Sequence, residues 1–345
     1  MTHPDRRTSN GPETPTPTTA VTSSDEGARR SEAPRRSEAP QRSEALQRSE
    51  ASWLDGLWVA LATPFETSGE VDLEAFRGLV RHKVRGGVDG LLVLGSTGEA
   101  ATLSEAERDL LVTACLEEAD DRPVLVGTGS NATATAARWT RRAAELGAQG
   151  ALVVTPYYNK PNPAGLLAHY EAVSEAAPDL DLVLYNVPGR TGTNLSPELL
   201  AGLWTLPRVV GLKESSGDLA QIDTILRQAP VGKVVLAGDD GLALPAIALG
   251  ARGLVSVVGN LFPAETWALV DAALAGRLGE ARRRHAELIP LVEVLFEETN
   301  PVPLKAALGQ LGLAGDAVRP PLAVASEATR HHLSEILAVL RGVAA

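Results

Sequence analysis

One pattern recurs eight times between positions 57 and 275: a short, continuous apolar run, followed by a stretch whose apolar residues return at helical spacing. The runs fall at 57–61, 88–94, 124–126, 150–154, 182–185, 209–212, 234–237 and 253–257. The helical stretches after them fall at 73–85, 104–118, 132–146, 164–176, 197–203, 219–228, 241–249 and 264–275. A strand that is apolar on both faces has to be covered on both faces, and a helix between consecutive strands makes them run parallel. Eight such units over about 220 residues fit a closed (β/α)8 barrel better than an open doubly wound sheet. The expected fold class is therefore α/β, a TIM barrel.

The rest of the chain flanks that repeat. Residues 1–52 are dominated by Thr, Ser, Pro, Arg and Glu, and 29–52 is four near-copies of a hexapeptide, RRSEAP, RRSEAP, QRSEAL and QRSEAS. Such a segment buries too little apolar surface to offset its ordering entropy, so a disordered tail is expected. It has no apolar core of the kind a secretory signal needs. Beyond the barrel (53–277), helices are expected at 280–298, 302–311 and 327–340, a C-terminal helical region over 278–345 suited to packing or oligomer contacts.

Charge and cysteine usage exclude several function classes. The tail's eight Arg cancel its eight Asp and Glu, so the remaining 24 basic and 35 acidic residues carry the whole net charge of −11. An acidic body argues against nucleic acid and anionic membranes as partners. No apolar run approaches the ~18–20 residues that span a bilayer. Cys115 is the only cysteine and the six histidines lack metal-ligand spacing, so neither a disulfide within the chain nor a metal centre is expected. A cytoplasmic protein is the expectation.

In a barrel of this kind the chemistry gathers where the strands end. The run at 209–212 is interrupted by Lys213, and Ser215-Ser216-Gly217-Asp218 turns the chain at once. An amine held among apolar neighbours loses hydration, and dehydration favours the neutral, nucleophilic form; the plainer reading is a strand-end lysine reaching for solvent. Other strands end in Ser96-Thr97-Gly98-Glu99, Thr155-Pro156-Tyr157-Tyr158-Asn159-Lys160, Tyr185-Asn186-Val187-Pro188-Gly189-Arg190, Asp239-Asp240 and Ser256. Lys213 can form an imine with a ketone, while Tyr158, Tyr185 and Ser96 can pass protons without permanent charge. Thr97 with nearby backbone N–H groups can hold one small carboxylate, and Arg190 can clamp another through two parallel hydrogen bonds. Each also has a structural reading: a turn for the glycines, packing for the tyrosines, a surface pair for Arg190, helix caps for Asp239 and Asp240, a solvated Lys160. Five independent coincidences at five strand ends are less economical than one site. Gly127-Thr128-Gly129-Ser130 lacks the lysine and spacing of a phosphate loop.

Assembled, these stretches resemble the dihydrodipicolinate synthase (4-hydroxy-tetrahydrodipicolinate synthase) family of pyruvate-dependent class I aldolases. GSTGEAATLS, TPYYNKP, YNVPGRTG, GLKES and NPVPLKAAL match in order and spacing across about 55–340. The resemblance implies condensation of pyruvate with L-aspartate-4-semialdehyde, without cofactor or metal, in the diaminopimelate route to lysine. It implies Lys213 as the Schiff-base lysine, and Tyr185, Ser96 and Tyr158 as a proton relay, with Tyr158 contributed by a neighbouring subunit. Thr97 and the backbone near Val255 would hold the pyruvate carboxylate, and Arg190 that of the second substrate. A homotetramer built as a dimer of dimers is implied as well. Two positions depart from the family. Ser96 stands where threonine is usual, which keeps the hydroxyl and frees its rotamer. Glu105, Arg108 and Thr135 replace the two histidines and the glutamate that serve the lysine effector site of lysine-inhibited relatives, although Asn131 and Tyr157 remain. Weak or absent lysine inhibition is expected. The rival readings are a sugar-acid aldolase such as N-acetylneuraminate lyase, against which Arg190 weighs, and a silent barrel with a binding or regulatory role.

Overall fold

The computed structural model describes residues 51–343. Except for Ala51 and Ser52, the expected tail and its hexapeptide repeats therefore lie outside the described residues. Eight parallel strands close into a barrel in sequence order: β1 (Gly56–Ala60), β2 (Gly90–Val93), β3 (Val124–Gly127), β4 (Gly150–Val154), β5 (Asp181–Asn186), β6 (Val209–Glu214), β7 (Val234–Ala237) and β8 (Gly253–Ser256). Closure comes from β1 pairing with β8, Gly56 opposite Gly253. The (β/α)8 barrel predicted from the recurring pattern is the fold.

The helices of the outer layer are α1 (Leu73–Arg85), α2 (Glu105–Glu118), α3 (Thr133–Leu146), α4 (Pro163–Ala176), α5 (Pro188–Thr191), α6 (Pro197–Leu203), α7 (Leu219–Gln228), α8 (Ala243–Leu249) and α9 (Pro263–Leu274). Their starts are set locally. Asp72 accepts from Ala75 N at 2.9 Å, Asn162 from Gly165 N at 2.9 Å, and Ser104 and Glu107 form the expected capping box. The single turn α5 was not anticipated, because four residues are too few to show a helical period. It begins on Pro188 and is closed by Gly192 at φ 67°, a left-handed position suited to glycine.

Two apolar layers result. One lies between strands and helices, and the other fills the barrel with Trp58, Leu92, Leu125, Leu152, Val183 and Leu236 among others. The floor of the barrel is sealed by tryptophan. Trp58 donates its indole N–H to Leu54 O (2.8 Å), and Trp53 meets it edge-on at 5.7 Å while donating to Asp181. Gly90 lies opposite Trp58 because a Cβ there would sit 2.5 Å from the ring. Ala51, at the end of the segment assigned to the tail, is buried against this floor. Three further helices follow the barrel: α10 (Leu278–Leu295), α11 (Val302–Leu311) and α12 (Glu327–Val343). Among the described residues no helix is long and apolar enough to cross a membrane.

Candidate active site

At the opposite end, where the strands finish, a cavity of about 370 Å³ opens. Ser96, Tyr185, Arg190 and Asn300 are among its lining residues. Tyr185 and Lys213 sit side by side on β5 and β6 in register. Lys213 Nζ lies 4.3 Å from the centroid of the Tyr185 ring, and the residue is only 6% exposed. Room for the lysine comes from Gly238, where a Cβ would fall 2.8 Å from Lys213 Cε. A dehydrated amine against a phenol face is thus produced by strand register plus one missing side chain.

Ser96, Thr97 and Gly98 form a single 3-10 turn after β2. It is flanked by Leu94 at φ 61° and Glu99 at φ 49°, two non-glycine residues in the left-handed region. Such conformations cost about 1–3 kcal/mol each and persist only where the surroundings hold them. Close approach of β3 is part of that hold, since a Cβ on Gly127 would be 2.0 Å from Leu94 O. Glu99 supplies the rest. It is buried, accepts from the fully buried Lys305 of α11 at 2.5 Å, and accepts from Arg319 N at 3.0 Å. Lys305 also donates to Ala317 O (2.7 Å) and rests 4.0 Å from the Phe65 ring centroid. Burial lowers its pKa and Glu99 opposes the shift.

The C-terminal helical region therefore builds one wall of the site. Asn300 donates Nδ2 to Thr97 Oγ1 (2.9 Å), and its backbone carbonyl accepts from Arg190 Nη2 (3.0 Å). The sequence places Asn300 and Lys305 within the family-like stretch NPVPLKAAL, and Glu99 at a strand end, without assigning any of the three a role at the site. The available signal was a lysine embedded in the apolar run Val302-Pro303-Leu304-Lys305-Ala306.

Two strand-end acids also differ from expectation or add to it. Asp239 does cap the turn after β7, accepting from Gly241 N at 2.9 Å. Asp240 does not cap: it is buried and accepts from Ser256 Oγ (2.5 Å) and Val257 N (2.8 Å), tying β7 to the end of β8. Its side chain turns inward because those β8 donors would otherwise be unpaired, and burial raises its pKa to about 6. Glu214, next to Lys213, is buried and accepts from Asn186 Nδ2 (2.9 Å) and Ser216 N (2.7 Å). Burial raises its pKa too.

The structure brings Lys213, Tyr185, Ser96, Thr97 and Arg190 to one end of the barrel, where Ser96, Tyr185 and Arg190 line the cavity and Lys213 and Thr97 lie behind that lining, against Tyr185 and Asn300. Val255 is buried in the barrel interior on β8 and does not line the cavity. Tyr158 stands apart. It is 89% exposed at φ 71° and is absent from this chain's cavity, whereas Tyr157 lines it. Lys160 is exposed as expected, with its stem laid over Gly192. On the far side of the cavity Arg108 donates to Gly127 O (2.7 Å) and stacks 3.8 Å from the Trp139 ring centroid, and burial lowers its pKa to about 10. Glu105 is turned outward to Arg138 at 2.9 Å.

Comparison with known proteins agrees with this geometry. The dihydrodipicolinate synthetase family model matches residues 53–340. The 4-hydroxy-tetrahydrodipicolinate synthase of Syntrophus aciditrophicus is 44% identical over 283 residues, 82% of this chain and 97% of the relative. That of Methanospirillum hungatei is 45% identical over 287 residues, 82% and 98% of the two chains. The crystal structure of dihydrodipicolinate synthase from Thermotoga maritima superposes with a TM-score of 0.81 at 43% identity, covering 83% of this chain and 98% of that one.

Proposed function

The chain belongs to the dihydrodipicolinate synthetase family, and we propose that it condenses pyruvate with L-aspartate-4-semialdehyde to give 4-hydroxy-tetrahydrodipicolinate, as a cytoplasmic enzyme of the diaminopimelate route to lysine. One observation supports this most: the barely exposed Lys213 amine lies against the Tyr185 ring at the cavity end of the barrel.

Lys213 Nζ adds to the pyruvate ketone, and loss of water leaves a protonated imine. That cation draws electrons from the methyl group, whose proton leaves through the Tyr185 hydroxyl to give an enamine. Ser96 and Tyr158 continue the relay. The enamine carbon attacks the aldehyde carbon, and the new alkoxide takes a proton back from Tyr185. The substrate amine then attacks the imine carbon, closing the ring and releasing Lys213 as a free amine. One water is lost overall. Thr97 holds the pyruvate carboxylate, and the planar guanidinium of Arg190 holds that of the aldehyde. No cofactor takes part.

The exposure of Tyr158 supports completion of the site by a second copy, within a homotetramer arranged as a dimer of dimers. Arg108 places a cation where a lysine effector would bring its own, and Glu105 is engaged elsewhere, so millimolar L-lysine leaves turnover unchanged. Strong inhibition in that assay sinks the effector reading alone.

The decisive experiment is borohydride reduction with pyruvate, followed by peptide mass spectrometry. Covalent mass gained at Lys213 is expected; an unmodified Lys213 removes the mechanism. Offering aspartate semialdehyde and N-acetylmannosamine as acceptors then separates this reaction from a sugar-acid aldolase.

A further inference from the structure

Asn300 has more hydrogen-bonding capacity at the site than its two contacts use. The residue is 6% exposed and lines the cavity. Its amide nitrogen is occupied by Thr97 and its backbone carbonyl by Arg190, but the side-chain Oδ1 is buried with no hydrogen-bond partner among the described residues. A buried amide oxygen without a donor is costly, and folded proteins keep one where another group completes it. The neighbouring lining groups do not. Arg190 spends its Nη2 on the backbone carbonyl rather than on Oδ1, and Glu99 is itself an acceptor, taken by Lys305 and the Arg319 backbone.

We propose that Asn300 Oδ1 accepts a hydrogen bond from the α-ammonium of the second substrate, and thereby selects an amino-bearing aldehyde over one that lacks the amine. This rests on the reaction assigned above. In an α-amino acid the carboxylate and the ammonium share one carbon. A carboxylate clamped on Arg190 therefore presents its ammonium beside the residue whose backbone already holds Arg190. An ammonium can only donate, so it needs an oxygen, and neither Arg190 nor Lys213 offers one. A neutral amide oxygen suits the chemistry better than a carboxylate. The same amine must later lose a proton and attack the imine, and an adjacent negative charge holds it protonated. The amide also orients Thr97. With Thr97 Oγ1 accepting from Asn300 Nδ2, the threonine proton is released to donate toward the keto acid. One side chain thus links both carboxylate sites to the amine.

The test uses the full-length enzyme preloaded with pyruvate, then mixed with L-aspartate-4-semialdehyde or with succinate semialdehyde, which has no ammonium. Borohydride quenching at timed intervals and intact-protein mass spectrometry read the rate at which each aldehyde consumes the pyruvate adduct. The wild type is expected to favour the amino-bearing aldehyde, and Asn300→Ala to lower that ratio by about tenfold or more, the worth of a hydrogen bond to a charged group. Asn300→Asp restores an acceptor and is expected to keep the ratio, with its rate maximum moved to higher pH. A wild-type ratio near one overturns the proposal, as does an Asn300→Ala ratio equal to that of the wild type, whatever the absolute rates. Failure of the wild type to trap pyruvate at Lys213 removes the reaction itself, and this assignment with it; normal trapping with an unchanged ratio removes only the role of Asn300.

Discussion

The two ends of this barrel are made from the same eight strands and obey opposite rules. At the floor Trp58 fills the bore, Trp53 meets its edge, and backbone and charged groups are tied together. Asp89 accepts from Leu57 N at 2.7 Å, and Arg252 is bonded to Asp55. At the mouth, Leu94, Glu99, Tyr158 and Lys160 hold positive φ without being glycine, and Thr155 Oγ1, Ser215 Oγ and Asn300 Oδ1 are buried without partners. Among the described residues, four of the five non-glycine residues at positive φ thus lie at the mouth, the fifth being Asp120 before β3, while unpartnered buried polar atoms also occur elsewhere, as at Arg122 Nε and Lys83 Nζ. Stability and chemistry should therefore respond to different substitutions.

Lys213→Ala is the sharpest test of that separation. Removing the nucleophile is expected to lower kcat by on the order of 10⁴-fold and to abolish borohydride trapping, with a melting temperature no lower than wild type. A large drop in melting temperature would mean that the mouth also carries the fold. Lys305→Met is the substitution set to break the separation. It strands the Glu99 carboxylate in the interior, so a loss of about 3–5 kcal/mol is expected in chemical denaturation. Because Glu99 ends the turn that carries Ser96 and Thr97, kcat should fall in the molecules that remain folded.

Gly253→Ala probes the floor. A Cβ there would lie 2.0 Å from Gly56 O, so backbone has to move, at a cost of about 1–3 kcal/mol. Activity per folded molecule should be unchanged; a raised KM for pyruvate would show that the floor is coupled to the site. An effect of similar size and opposite sign is expected away from both ends, at Lys83 on α1. Its amine is fully buried without a hydrogen-bond partner among the described residues, and burial alone lowers its pKa to about 7. Between that value and the ordinary lysine value of 10.5, the unfolded chain binds more protons than the folded one, so this residue makes stability rise with pH across the window. Below it both states are protonated and the full penalty is present. Lys83→Met should therefore stabilise the protein at pH 7 by about 1–3 kcal/mol and flatten that slope, read from denaturation midpoints at several pH values.

Lys83 and Lys305 also show what could be read in advance. Both are more deeply buried than Lys213, yet the sequence singled out Lys213, because it follows a strand at the end where substrates enter. Burial by itself does not make a site. The barrel was legible because each unit declares itself locally: an apolar run that needs cover on both faces, then a helix with its cap. Ser96, Tyr185 and Arg190 were legible as strand ends. Asp240 was misread because a carboxylate before a helix and a carboxylate bonded to the next strand look alike in one dimension.

The order of runs, caps and turns thus determined the barrel and which strand ends face substrate, since covering apolar surface and starting helices depend on residues close in the chain. Only the folded molecule decided that Asn300 meets Thr97, 203 residues earlier, and that Lys305 meets Glu99 across 206. A hydrogen-bond partner is chosen by proximity in space and exclusion of water, and over such separations closure of the barrel, not spacing along the chain, supplies both.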